Sequence, residues 1–119
     1  MSLFVTVNID QLEPELGSPD AERVLEGAPT FKTWNVEETA DGVYAGVWEA
    51  TRGKWRIRYD EWEFCHIVSG VSVVTEDGAS PRRVEAGSSF VLRPGFKGTW
   101  EVLETTRKEY VLHLPPAVR

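Results

Sequence analysis

Hydrophobic positions along this chain recur with a period of two. In "KWRIRY", residues 54–59, Trp55, Ile57 and Tyr59 alternate with Lys54, Arg56 and Arg58. Neighbouring side chains on a strand point to opposite faces, so the first three predict an inward face and the three cations an outward stripe. Similar short runs are "FKTWNVEE", "VYAGVWEA", "EFCHIVSG", "VSVVT", "RRVEA", "SSFVLR", "GTWEVLE" and "RKEYVLHL". Turn signals separate them: Asp41-Gly42, "TRG", Asp77-Gly78 with Pro81, Gly87, and Pro94-Gly95. Short strands at nearly even spacing, with no strong helical period, predict an all-β antiparallel sandwich or barrel. Within residues 63–68, Glu63, Cys65 and Ile67 share one face and Phe64, His66 and Val68 the other. Both faces are partly apolar, which predicts a central strand covered on both sides.

The first thirty residues read differently. An apolar run from Leu3 to Ile9 gives way to acidic text broken by Pro14, Gly17, Pro19, Gly27 and Pro29. The expected organisation is an irregular N-terminal arm, residues 1–30, ahead of one domain, residues 31–119. Leu3 to Ile9 is the candidate first edge strand and the segment expected to pair or cross over in a homodimer. A single helical turn is expected near Asp20 to Leu25, with Ser18 or Asp20 as its cap.

A length of 119 residues suits one domain with one core. The net charge of -6 argues against a nucleic-acid partner, since phosphate binding needs a basic footprint. The stripe of Lys54, Arg56 and Arg58 is expected to be solvated or dimer-facing. Cys65 is the single cysteine, so no internal disulfide is expected. No run is long and apolar enough to predict a membrane span, and "MSLFVTVNID" lacks the form of a secretion signal. The expected location is the cytoplasm, with no membrane partner.

The candidate chemistry gathers at residues 59–65. Glu63 has three possible roles beyond a structural one: a lone metal ligand, a general acid or base, or a partner for a basic ligand group. A carboxylate aimed into an apolar barrel needs a partner, because an isolated buried charge is costly. Tyr59 reads equally as a ligand-binding hydroxyl or a core tyrosine at the rim. Cys65 reads as a nucleophile or, since no base stands beside it in the sequence, as an inert buried thiol. Asp60 and Glu61 fit an exposed turn. Five tryptophans are many for this length, and Trp55 and Trp100 are candidates for an aromatic wall as well as for core. On the last strand Lys108 and Tyr110 share a face. If that face points inward, Lys108 reaches Glu63 in a charge-assisted pair and Tyr59 donates to the same carboxylate.

The chain resembles the cupins, which are jelly-roll barrels. Their first motif runs Gly, five residues, His-x-His, three or four residues, Glu, six residues, Gly. Glu63 and Gly70 match its second half, and Gly53 stands near its opening glycine. Gly87, "SSFVLR", Pro94 and Gly95 follow the outline of the second motif, with Arg93 where its proline falls. "GTWEVLETTRKEY", and a cysteine two residues after the Glu, resemble small single-domain cupins related to the (S)-ureidoglycine aminohydrolase domain and the ethanolamine-utilisation cupin. The resemblance covers residues 34–114 and implies an antiparallel jelly-roll (cupin) barrel of the RmlC-like kind.

Metal cupins carry three imidazoles and one carboxylate, a set suited to manganese, iron, nickel or zinc. Here the two His positions of the first motif hold Ile57 and Tyr59, or Arg56 and Arg58 in the longer spacing, and the second-motif His falls at Gly98. His66 and His113 stand elsewhere. The expectation is a barrel that binds a small polar metabolite with no metal and no cofactor, through Tyr59, Glu63, Cys65, Trp100 and Lys108, with Glu63 the catalytic candidate. A zwitterion or amide would suit one anionic and one cationic handle. Two alternatives stay open: a metal-assisted enzyme resembling ureidoglycine aminohydrolase, and a dimeric structural or regulatory module.

Overall fold

The computed structural model describes residues 2–116. Nine strands follow in order: β1 (Glu15–Gly17), β2 (Val24–Gly27), β3 (Phe31–Glu38), β4 (Val43–Ala50), β5 (Gly53–Arg58), β6 (Trp62–Glu76), β7 (Arg82–Glu85), β8 (Ser89–Leu92) and β9 (Lys97–His113). All pairings are antiparallel, and one path runs β1-β3-β4-β9-β5-β2. β6 lies along β9 from Trp62↔His113 to Glu76↔Gly98 and carries β8 and β7 beside its two halves. The curled sheet is the all-β jelly-roll barrel that the strand pattern and motifs imply.

The spine is the long β6–β9 ribbon. "EFCHIVSG" and "VSVVT", expected as separate strands, are one strand, and so are "GTWEVLE" and "RKEYVLHL". Gly70 looked like a strand end, but it sits in a series of register shifts between Ile67 and Ser72. A bulge bends a strand without ending it and changes which side chains face inward. The change is visible in the burial: Glu63, Cys65 and Ile67 are buried before the bulge, and Ser72 and Val74 after it. β9 stays in phase, with Trp100, Val102, Thr106, Lys108 and Tyr110 all buried.

The core is Ala50, Trp55, Ile67, Val74, Val84, Leu92, Trp100 and Val102, with Phe31, Trp48, Ile57, Tyr59, Phe90 and Phe96 packed against it. Trp55 is buried and Ile57 and Tyr59 half-buried, as alternation predicts, while Arg56 and Arg58 are exposed. Arg56 pairs with Asp77 at 3.0 Å on the outside.

Three expectations need correction. Leu3 to Ile9 forms no strand, and Leu3 and Phe4 are 100% and 82% exposed. The first strand is instead Glu15–Gly17, paired with β3, because a strand needs an available edge as well as an apolar sequence. The expected helical turn is the 3-10 turn Ala21–Arg23, but the Asp20 side chain makes no capping bond. The outer face of β6 is only partly covered: Phe64 and His66 are half-buried and Val68 is exposed.

Gly70 has a φ of +87°, and a Cβ added there would lie 2.0 Å from the Thr105 carbonyl oxygen. Gly78 has a φ of +82° with nothing near its Cβ position. Gly70→Ala is therefore expected to lose clearly more stability in urea unfolding than Gly78→Ala, whose cost is the left-handed backbone alone, about 1–2 kcal/mol. Equal losses would show that the ribbon does not depend on close approach at residue 70.

Candidate functional site

The site forms where β4, β5, β6 and β9 turn their inner faces toward one cavity. Lys108 on β9 lies between Trp48 on β4 and Ile67 on β6 in register, and Trp55 on β5 lies beside Trp100 on β9. The lysine stem is long enough to run past Cys65 toward Glu63. Its ammonium Nζ lies 3.2 Å from both Glu63 oxygens and 3.7 Å from Cys65 Sγ. The Tyr59 hydroxyl donates to Glu63 Oε1 at 2.5 Å. Glu63 and Lys108 are each 4% exposed, so this is a buried ion pair with its donors and acceptors engaged.

Two indoles complete the surround. The ammonium lies 4.5 Å from the Trp48 ring centroid and 4.6 Å from that of Trp100, within cation–π range. Trp48 and Trp100 meet edge to face at 5.4 Å, and Phe31 joins Trp48 to Trp55 at 5.3 and 5.1 Å. Trp100 is fixed from behind: its indole N–H donates to Ser72 Oγ at 3.1 Å, and Ser72 shares a 2.6 Å bond with Thr106. The Tyr110 hydroxyl donates to Asn35 Oδ1 at 2.8 Å.

Above this floor opens a cavity of about 520 Å³. Tyr59, Glu63, Trp100 and Lys108, four of the five expected ligand-binding residues, line it together. Cys65 does not: it is fully buried behind the ammonium. Glu61, expected as a turn charge, is half-buried at the cavity mouth, while Asp60 is exposed. Sequence reasoning missed Trp48, Asn35 and the Ser72–Thr106 support. Trp48 had a signal, because alternation in "VYAGVWEA" places it with Tyr44 and Ala50; the others depend on contacts across strands. A larger cleft of about 870 Å³ runs along β7, β8 and residues 93–96, with Arg82, Arg83 and Arg93 exposed at it. It contains no buried ionisable group.

Burial pushes the Cys65 thiol up to about 12, with Glu63 adding to the rise and Lys108 opposing it. Burial and then Glu63 hold Tyr59 well above its ordinary value. Burial, then Glu63 and Glu15, push Tyr110 up to about 12. Burial alone would depress Lys108, but the Glu63 charge and the hydrogen bonds to Glu63 and Cys65 outweigh it, and Lys108 is raised. At neutral pH Lys108 is therefore an ammonium, Tyr59 a phenol and Cys65 a thiol, which removes Cys65 as a nucleophile.

The residues do not fit a cupin metal. By the motif outline Ile57 and Tyr59, or Arg56 and Arg58 in the longer spacing, fall at two imidazole positions and Gly98 at the third, where a Cβ would lie 2.0 Å from the Thr75 carbonyl oxygen, so no imidazole fits there without backbone movement. Among the described residues no three His, Cys, Asp or Glu side chains stand close enough together to hold one metal ion. His66 bonds Ser89 on the other face of β6, and His113 lies 3.2 Å from the Asp41 carbonyl. Lys108 itself supplies the positive charge beside Glu63 and repels a divalent ion from that place.

The curled antiparallel sheet and the cavity it encloses are those of a jelly-roll barrel. The EutQ-like cupin domain family matches residues 32–110, and the chain belongs to that family. A DUF861-family protein of unknown function from Pseudomonas syringae pv. tomato superposes with a TM-score of 0.79 at 22% identity, over 89% of this chain and 46% of that one. The EutQ protein of Clostridium difficile gives 0.64 at 16% identity, over 71% and 63%. A putative ethanolamine utilization protein Q from Salmonella typhimurium gives 0.64 at 15%, over 87% and 98%. The chain thus spans about half the length of the Pseudomonas protein and under two-thirds of the Clostridium one. No curated protein sequence matches the chain. Identities this low establish shared fold, and function must be read from the site. No helix among the described residues is long and apolar enough to cross a membrane.

The raised groups set an alkaline limit. A group whose folded pKa is raised stabilises the fold below its unfolded pKa and loses that contribution as pH rises toward the folded value. The ordinary values are 9.0 for Cys65, 10.0 for Tyr59 and Tyr110 and 10.5 for Lys108. Urea stability is expected to fall from about pH 9 upward, with Cys65→Ala removing the first part of the fall. A flat profile from about pH 8 to about pH 11 would contradict the burial of these groups.

Proposed function

We propose that the barrel binds a small polar metabolite without a metal. The observation that carries this reading is the caged Lys108 ammonium, held by Glu63, Trp48 and Trp100 at the floor of an open cavity. A cavity of about 520 Å³ falls within the usual range for small-molecule sites. Its inner wall is largely aromatic, with Tyr59 and Glu63 at the floor, Tyr110 and Asn35 toward β3, and Glu15, Glu38 and Glu61 at the rim. Trp48, Trp55 and Trp100 supply flat surfaces for a ligand's apolar part. Glu63 orients Lys108 and Tyr59, and with all three engaged they form a fixed polar platform. The ureidoglycine-aminohydrolase-like alternative needs a cation free to polarise substrate, and Lys108 is spent on Glu63.

Binding is tested by tryptophan fluorescence and thermal shift against small amines, acids, amides and sugars. A ligand at about 100 times its Kd adds about 2.7 kcal/mol of stability, enough for a shift of several degrees. Glu63→Gln is expected to weaken that response and leave metal content, measured by elemental analysis, unchanged. A stoichiometric metal lost from Glu63→Gln would overturn the reading.

We also infer a homodimer in the cytoplasm. The outer face of β8, β6 and β9 places Val91, Phe64 and Val111 side by side in register, with Trp62 at one end; Phe64 is half-buried and the other three are exposed. Apolar rows of this kind are commonly covered by a second subunit. The arm residues Leu3 and Phe4 add exposed apolar surface. A free, fully buried thiol suits a reducing compartment. Sedimentation at micromolar concentration is expected to give a dimer that Val111→Lys dissociates; a monomeric starting protein would refute it.

A further inference from the structure

The charge of the cavity goes further than its shape. Glu63 and Lys108 neutralise one another, so neither is free to select a ligand by net charge. What remains at the cavity wall is Glu15, Glu38 and Glu61, with no second cation among the lining residues. None of the three has an ion-pair partner among the described residues; the side-chain contact to Glu38 is a 3.4 Å bond from Asn35. They come from three separate places: β1, the end of β3, and the turn before β6. Two of them also act on the site itself. Glu15 is felt by Tyr110 and Glu61 by Tyr59.

The inner wall has the same sign. Aromatic faces present negative charge to a cation, and two of them already hold an ammonium here. We propose that the cavity selects an organic cation: a protonated amine on a short apolar or aromatic body. The body packs against Trp55, Ile57 and Trp48, and the amine faces the three rim carboxylates. An anionic ligand meets three like charges and a lysine that is already engaged. This inference rests on the binding reading above and adds the ligand's charge and the residues that set it. Glu15, Glu38 and Glu61 are specificity-determining residues, not part of the floor.

The test uses the intact protein and three matched probes: phenethylamine, phenethyl alcohol and hydrocinnamate, followed by tryptophan fluorescence and calorimetry. The amine is expected to bind at least about tenfold tighter than the alcohol, about 1.4 kcal/mol, with the carboxylate weakest. Raising salt from about 20 mM to about 500 mM is expected to weaken the amine and leave the alcohol unchanged, because exposed charges are screened. Glu15→Gln, Glu38→Gln and Glu61→Gln together are expected to abolish the amine preference while the alcohol affinity stays. The salt series on the unaltered protein tests the same point without any substitution. Equal binding of amine and alcohol would overturn cation selection and leave the cavity reading standing. Tightest binding by the carboxylate would overturn it in favour of Lys108 as the ligand handle. No binding by any probe at millimolar concentration would sink the cavity reading and this inference with it.

Discussion

The site is organised by one buried ion pair. Glu63 and Lys108 stand on adjacent strands and meet inside the barrel, each almost without solvent contact. Removing two charges from water is expensive, and a pair of this kind holds only where geometry is good and the remaining donors and acceptors are satisfied. Tyr59 and Cys65 contribute on the polar side, and Trp48 and Trp100 on the other. These demands fix side chains on β4, β6 and β9, and Tyr59 just after β5, at once. A small displacement of any of these elements leaves part of a charge unpaired, so the pair works as a specificity device as much as a stabilising one.

The cage around the pair draws on both halves of the bulged β6–β9 ribbon. The bulges around Gly70 shift the inward positions of β6 by one residue, so Glu63 and Cys65 point inward in one half and Ser72 and Val74 in the other. β9 crosses the same region unshifted and serves both halves. Its first half delivers Trp100 beside Trp55, and its second half delivers Lys108 beside Trp48. Trp100 and Lys108 are eight positions apart in sequence, yet they share one cage.

Within the cupin family the barrel is a scaffold whose cavity chemistry varies with its inward side chains. Here an ammonium carried by the protein occupies the place beside the carboxylate. The electrostatic problem of a buried Glu is thereby solved from within the chain, and the cavity above is left to aromatic surface and rim charge. The outer faces follow a separate logic. Arg56 and Arg58 are solvated or paired with surface acids, while Val91 and Val111 leave apolar surface exposed beside the half-buried Phe64.

The sequence by itself determined the strand-rich class, the inward face of Trp55, Ile57 and Tyr59, and the shared face of Lys108 and Tyr110. Each is a local property, since alternation along one strand sets sidedness without reference to any neighbour. The resemblance to the cupin motifs pointed to Glu63 and implied that no imidazole stands at the other ligand positions in either spacing. Trp48 over the ammonium, Ser72 behind Trp100, and Glu15 and Glu38 at the mouth were decided only by the tertiary structure. So were the joining of two predicted strands into β6 and the placing of the first strand at Glu15 rather than at Leu3. All of these depend on register between strands distant in sequence, and register follows from bulges and available edges that no single segment encodes.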